Sequence, residues 1–214
     1  MRRRNRQNKR PHHSPPQTFQ ATFIVTILTL IRHGQAQTGA KDEKSYDNLS
    51  DLGHVQARWL GDCLRQQAPV TRLISGTMKR QIQTAEALAL DGVELETDPG
   101  LNELDYFGLA HSLHNQHGVP IPEQAAAFAA HVPLVLHRWR NGQLDPALES
   151  YDAFRNRILK ALHTAVNHTT SEHGPAEHSA TAPQSQLLLV TSTGVIATLA
   201  AIALGLDMAM KSKL

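Results

Sequence analysis

The stretch that decides the fold is Leu28-Thr29-Leu30-Ile31-Arg32-His33-Gly34-Gln35. The apolar run from Phe23 to Ile31 predicts a buried strand that ends at a guanidinium, an imidazole and a glycine. Ligands of open α/β sheets bind beyond the carboxyl ends of the strands, which is where Arg32 and His33 stand. Histidine can act as a nucleophile, and arginine offers donors that fit phosphate oxygens. A solvated Arg beside a hydrogen-bonded His is nevertheless the simpler interpretation of these residues taken alone.

Length and composition favour one domain with a tail. The chain has 214 residues, of which 41% are hydrophobic, enough for a sizeable core. Residues 1–20 contain six basic residues, several prolines and no acid, so the remainder of the chain is mildly acidic. We expect this tail to be disordered, and a solvated extension is favoured over a nucleic-acid-binding arm. Residues 21–214 then form the folded domain.

The segment 187–206 raises the question of a membrane span. It contains 20 residues without a charge, which is the length of a spanning helix. Thr191-Ser192-Thr193-Gly194 interrupts it, so we expect a strand over Leu187–Val190 and a core helix over Val195–Leu206 instead. The sequence therefore predicts no membrane association and a cytoplasmic location. The single cysteine, Cys63, excludes an intrachain disulfide and is predicted to be a buried thiol.

Strand and helix patterns alternate along the chain. Ser50 is a candidate N-cap for a helix, and Val70–Ser75 predicts a second strand. A helix is expected over Met78–Leu90, with Arg80 in its first turn, where the N-terminal N–H groups also attract anions. Leu95-Glu96 is a candidate third strand. This alternation predicts an α/β fold with a mainly parallel sheet.

Two acids follow the third strand. Glu103 and Asp105 are two residues apart, so in an extended segment they lie on the same side. Either is a candidate general acid if it lies near a bound dianion. Two ordinary surface acids are the alternative interpretation.

Residues 109–150 give the weakest pattern. His111-x-x-His114-x-x-His117 has a spacing that suggests metal binding, but nearby glycine and prolines argue against one rigid helix. We expect a partly helical excursion over the site, with its helix at Glu123–Arg138. An amphipathic helix follows at Asp152–Val166.

Taken together, these segments resemble the histidine phosphatase superfamily, also called the phosphoglycerate-mutase-like family. The resemblance covers about Phe23 to Leu206 and depends on ordered motifs rather than on one signature. The matching segments are Arg32-His33-Gly34; Tyr46-Asp47 to Leu49-Ser50 with Gly53 and Gln56; Ser75 to Ala85 with Arg80 and Gln83-Thr84-Ala85; Leu101-Asn102-Glu103; and Glu149-Ser150 with Phe154 and Arg157.

The resemblance implies a three-layer α/β sandwich and a catalytic mechanism. His33 would be the nucleophile that takes the phosphoryl group as a phosphohistidine. Arg32 and Arg80 would bind the phosphoryl oxygens and stabilise the charge in transfer. Glu103 would protonate the leaving oxygen and then activate water. No metal or other cofactor is implied, since guanidinium and imidazolium groups supply the positive charge.

The chain departs from the family pattern at three places. Ser192 stands where the family places its second catalytic histidine, so we expect it to offer the phosphate one neutral hydrogen bond. Ala36 and Gly39 occupy positions that are Thr or Ser and Asn in many members. The family usually adds a strand after the last helix, and we expect that strand to be missing here.

The functional prediction is a metal-independent phosphomonoesterase acting on a small phosphorylated substrate. The alternative is a degenerate member that binds a phosphorylated ligand with little or no turnover, and a phosphoglycerate-type mutase is the least favoured. The sequence identifies neither the substrate nor the oligomeric state.

Overall fold

A parallel sheet lies at the centre of the computed structural model, which describes residues 25–37, 43–122, 124–170 and 184–206. The expectations for the tail at 1–20, for Gly39 and for a strand beyond the last helix fall outside these ranges. Within them the sheet has four strands in the order β1-β4-β2-β3, and every described pairing is parallel. Their bounds are Val25–Arg32 (β1), Val70–Ser75 (β2), Leu95–Thr97 (β3) and Gln184–Thr191 (β4).

Helices lie around this sheet, as the α/β prediction required. In the described ranges they are Glu43–Tyr46 (α1), Asp51–Leu64 (α2), Lys79–Ala87 (α3), Tyr106–His117 (α4), Ala125–Arg140 (α5), Tyr151–Thr170 (α6) and Thr193–Ala203 (α7), with a 3₁₀ turn at Pro99–Leu101. None of the helices in these ranges is both long enough and apolar enough to cross a membrane. The uncharged segment 187–206 is instead β4 followed by α7.

Strand β4 is the most deeply buried element of the sheet. Its side chains alternate between two apolar clusters, one on each face. Leu187 and Leu189 join the cluster beneath α4, α5 and α6, whereas Leu188 and Val190 join the cluster beneath α2 and α3. The sheet thus separates two layers of helices, which confirms the three-layer prediction.

The excursion at 109–150 contains more helix than the sequence suggested. The helix expected at Glu123–Arg138 is α5, but the prediction that glycine and prolines prevent a helix through His111, His114 and His117 is wrong. All three histidines lie on α4. Gly118 ends that helix in the left-handed conformation at φ 68°. The glycine and the prolines that follow therefore interrupt the chain only after the three histidines.

Cys63 is exposed, so the prediction of a buried thiol is wrong. The buried face of α2 consists of Gly53, Ala57, Gly61 and Leu64. Cys63 immediately precedes the last of these and therefore lies about 100° around the helix, on the solvent side.

Candidate active site

The carboxyl ends of β1 and β4 lie side by side. Arg32 pairs with Thr191 in the ladder, and the His33 N–H donates to the Thr191 carbonyl at 2.9 Å. His33 and Ser192 therefore leave adjacent parallel strands at the same edge of the sheet. The Gly76 N–H donates to the Val190 carbonyl at 3.0 Å, which brings the loop before α3 to this edge as well.

His33 is buried in its neutral form. Its Nδ1 lies 2.8 Å from the Gly34 carbonyl oxygen. Because a carbonyl only accepts, Nδ1 carries the proton and Nε2 is left with its lone pair. Burial lowers the pKa of His33 from 6.5 to about 4, and the nearby charges of Arg80 and Arg32 act in the same direction. At neutral pH the ring is therefore neutral, with an unprotonated Nε2 next to cations.

Arg80 is the buried cation of the site. It is 1% exposed, and its Nη1 donates to Asp47 Oδ1 at 3.1 Å. The Asp47 carboxylate also accepts the backbone N–H groups of Lys79 at 3.0 Å and Arg80 at 3.1 Å, so it caps the start of α3. The Tyr46 ring lies beneath the guanidinium, with its centroid 5.0 Å from Cζ. Asp47 stood within a recognised motif, but the sequence assigned it no role.

The other motif residues hold the loop that follows β1. The Gly34 N–H donates to Thr84 Oγ1 at 3.0 Å, and the Gln35 N–H donates to Gln56 Oε1 at 2.9 Å. A side chain on either Gly34 or Gly53 would overlap backbone of the other segment, so the loop and α2 meet without side chains between them. These contacts give Gly53 and Gln56 a structural role, because both hold the loop that follows β1.

Glu103 reaches the start of α7. Its carboxylate accepts the Gly194 N–H at 2.8 Å and the Leu104 N–H at 3.0 Å. Asp105 is directed elsewhere, because its carboxylate accepts the Gly108 N–H at 2.8 Å and caps α4. Of the two candidate acids, Glu103 is the one that the structure brings to the ends of the strands.

Ser192 is 1% exposed and is linked to α3. Its Oγ accepts from Gln81 Nε2 at 2.8 Å, and the same amide donates to the Leu101 carbonyl at 3.2 Å. Gln81 is fully buried and was missed by the sequence reasoning, because its partner lies 111 positions away. Arg32 is exposed, and its charge is among those that lower the pKa of His33.

The chain belongs to the histidine phosphatase superfamily (branch 1), whose family model matches residues 28–214. The structure is similar to mycobacterial glucosyl-3-phosphoglycerate phosphatase in complex with VO3, at 25% identity and a TM-score of 0.59, covering 86% of this chain and 83% of the other. The same mycobacterial enzyme with inorganic phosphate gives 25% identity and a TM-score of 0.57, over 86% and 82% of the two chains.

The α-ribazole phosphatase of Shigella flexneri shares the fold at 19% identity and a TM-score of 0.56, over 86% of this chain and 82% of that one. A comparison with the curated proteins found no significant match.

Proposed function

We propose that this protein is a metal-independent phosphomonoesterase that acts through a phosphohistidine on His33. The main evidence is the state of His33. Its imidazole is buried and neutral, the Gly34 carbonyl holds its proton on Nδ1, and the buried Arg80 lies next to it. A lone pair on Nε2 is the nucleophile that attack on phosphorus requires. Membership of the superfamily and similarity to a phosphatase that binds VO3 and phosphate support the same reaction.

In the first step Nε2 of His33 forms a bond to phosphorus while the bond from phosphorus to the ester oxygen breaks. Arg32 and Arg80 bind the phosphoryl oxygens, and the Ser192 hydroxyl adds a neutral donor. Glu103 gives its proton to the leaving oxygen, so the alcohol departs uncharged. In the second step Glu103 takes a proton from water, whose oxygen forms a bond to phosphorus while the bond from phosphorus to Nε2 breaks, so phosphate is released and His33 is restored.

The substrate is proposed to be a small phosphorylated molecule. The solved relatives act on glucosyl-3-phosphoglycerate and α-ribazole phosphate, which are two different esters on one fold. The shared part is the phosphoryl group, and the site described above recognises only that part. A cytoplasmic location remains a prediction.

Phosphoryl transfer to His33 is tested by incubating the protein with a ³²P-labelled phosphomonoester and quenching it rapidly. The wild-type chain should retain label, and His33→Ala should retain none. His131→Gln is the matched control, because His131 is also a buried histidine, 6% exposed, and is bonded to the Tyr106 hydroxyl. A wild-type protein that folds but takes no label contradicts the proposal.

Ser192 supports a second candidate, a relative that binds a phosphorylated ligand with little turnover. Its hydroxyl carries no charge, so it would stabilise a phosphoryl group less than a charged imidazolium. This candidate predicts that phosphate raises the Tm, that Arg80→Ala loses the effect, and that hydrolysis stays at background. Turnover that disappears in His33→Ala would exclude it.

A further inference from the structure

Arg157 of α6 forms hydrogen bonds with the backbone of the loop that carries Glu103. Its Nη1 donates to the carbonyls of Gly100 at 3.0 Å and Asn102 at 2.7 Å. Its Nη2 donates to the carbonyl of Glu103 itself at 3.3 Å. One guanidinium therefore fixes three backbone carbonyls that lead up to the candidate acid.

Glu149 occupies the remaining edge of the same guanidinium. Its two carboxylate oxygens accept from Arg157 Nε at 2.7 Å and Nη2 at 3.0 Å. All five N–H groups of Arg157 thus have acceptors, and the geometry is the paired fork that arginine alone can make. Glu149 also balances the positive charge of Arg157.

The loop has little freedom to move away from α6. A side chain on Gly100 would overlap the Cβ of Ala161 and the backbone carbonyl of Arg157, so the 3₁₀ turn lies directly on the helix. The Phe154 ring lies under the guanidinium, 4.6 Å from its Cζ, and is itself fully buried. We call Arg157, together with Glu149 and the loop carbonyls that it binds, the clamp. The clamp packs on the buried core, and the loop that it binds places Glu103 against the Gly194 N–H.

We propose that Arg157, charge-balanced by Glu149, is the positioning residue that holds the carboxyl group of Glu103 where it delivers its proton to the leaving oxygen. This inference rests on the proposed function for the role of Glu103. The position of the Glu103 carboxylate against α7 can be measured without any turnover.

The leaving group separates proton delivery from the rest of the reaction. A simple alkyl phosphate such as glycerol phosphate needs its leaving oxygen protonated, whereas p-nitrophenolate departs readily without a proton. Values of kcat/KM report the steps up to formation of the phosphohistidine. Glu103→Gln should lower kcat/KM for the alkyl ester on the order of 10²-fold, since general acids contribute that much or more, and should leave p-nitrophenyl phosphate nearly unaffected.

Arg157→Lys should show the same selective loss, because a lysine cannot span three carbonyls and a carboxylate. We expect a fall of about tenfold or more for the alkyl ester, as small misplacements of a catalytic group are costly. The matched control is Arg72→Lys. Arg72 makes a similar bidentate pair with Glu96 and donates to the Ala165 carbonyl, but it lies near the start of β2 and away from the loop.

Hydrogen exchange at the Gly194 amide reads the placement directly. Arg157→Lys and Glu149→Gln should accelerate this exchange, and Arg72→Lys should not. If Glu103→Gln shows the leaving-group effect but Arg157→Lys does not, the positioning role is wrong. If no ester is turned over, the proposed function fails, and unchanged exchange at Gly194 in Arg157→Lys would overturn the clamp independently.

Discussion

Single residues decide how much charge the proposed phosphate site carries. The resemblance led us to expect Ser192 in place of a second histidine, and in the structure the neighbour of this serine is Gln81. The amide of Gln81 lies 2.8 Å from the serine oxygen and is fully buried. Both N–H groups of that amide are used, on Ser192 and on the Leu101 carbonyl. The serine hydroxyl therefore keeps its own proton for another acceptor.

Placing an imidazole at position 192 requires space as well as chemistry. Ser192→His alone should overpack the site against Gln81 and lower the free energy of unfolding by about 1–3 kcal/mol. In Gln81→Ala/Ser192→His the removed amide makes room, so stability should recover. The phosphatase rate should rise by about 10²-fold if a missing donor limits the reaction.

Urea unfolding and steady-state kinetics on the single and double variants check both parts, with Gln81→Ala alone as the control. A well-folded double variant with an unchanged rate would mean that the neutral serine belongs to a working site.

The protonation state of His33 should appear in the stability of the protein. Its pKa is lowered from 6.5 to about 4, so between these values the unfolded chain binds a proton that the folded chain does not. Unfolding free energy should therefore fall as the pH decreases through this window, by about 3 kcal/mol from this group alone. Above pH 6.5 both states are neutral at His33 and the contribution is constant.

Denaturant titrations of wild type and His33→Asn at several pH values measure this contribution as the difference between two curves. The other acids and histidines cancel in that difference. Parallel curves for the two proteins would show that His33 is not held neutral.

The candidate site residues that the sequence predicted are those that stand in a recognisable local pattern. His33, Arg80 and Glu103 each stand in such a motif. Asp47 and Gln81 were missed because their roles depend on partners brought close only by folding. A glutamine beside an arginine on a helix has no local property that distinguishes it from a surface glutamine.

Helices and loops set where these residues stand. The loop after β1 lies directly on the first turn of α2, at Gly34 and Gly53. The local pattern identified α2 and its cap: Ser50 Oγ accepts the Gly53 N–H at 3.1 Å. The local pattern did not reveal that the backbones of the loop and of α2 are in contact at these two glycines.

Gly53→Ala should displace the Arg-His-Gly loop, because the new methyl group would overlap the Gln35 carbonyl. We expect weaker phosphate binding and a lower Tm, although alanine favours helices more than glycine does. Isothermal titration with inorganic phosphate and a thermal melt test this, with His54→Ala on the same turn as the control. An alanine variant with unchanged affinity would mean that the loop can shift at no cost.

Element boundaries were predicted least well where polar residues are buried. The sequence placed the last strand at Leu187–Val190, but β4 begins at Gln184. Gln186 is buried in it and donates to the Ala68 carbonyl at 2.9 Å, which its polarity did not suggest. Likewise α7 begins at Thr193 rather than at the first apolar residue.

At the scale of the molecule, the strand order brings the candidate site residues together at one edge of the sheet. Periodicity predicted parallel strands but not their order. The pairing of β1 with β4 brings Ser192 next to His33, although 158 residues separate them along the chain. Hydrophobic patterns alone carry no information about such an order.

Central and edge positions of the sheet should differ sharply in their contribution to stability. Leu188 on β4 is fully buried, so Leu188→Ala should cost about 2–5 kcal/mol. Leu28 on β1, the outer strand among those described, is 38% exposed, and Leu28→Ala should cost no more than about 1.5 kcal/mol. Chemical denaturation of both variants checks this, and equal losses would contradict the strand order.

The chain also contains its own optical reporter. It has two tryptophans: Trp59 is 63% exposed, whereas Trp139 is 5% exposed and its indole N–H donates to the carbonyl of Glu149. Iodide in solution will quench the emission of the first and leave the second visible. The remaining emission then comes from Trp139, whose indole N–H is hydrogen-bonded to Glu149, the partner of Arg157. Fluorescence can therefore follow this part of the protein in real time without an added dye.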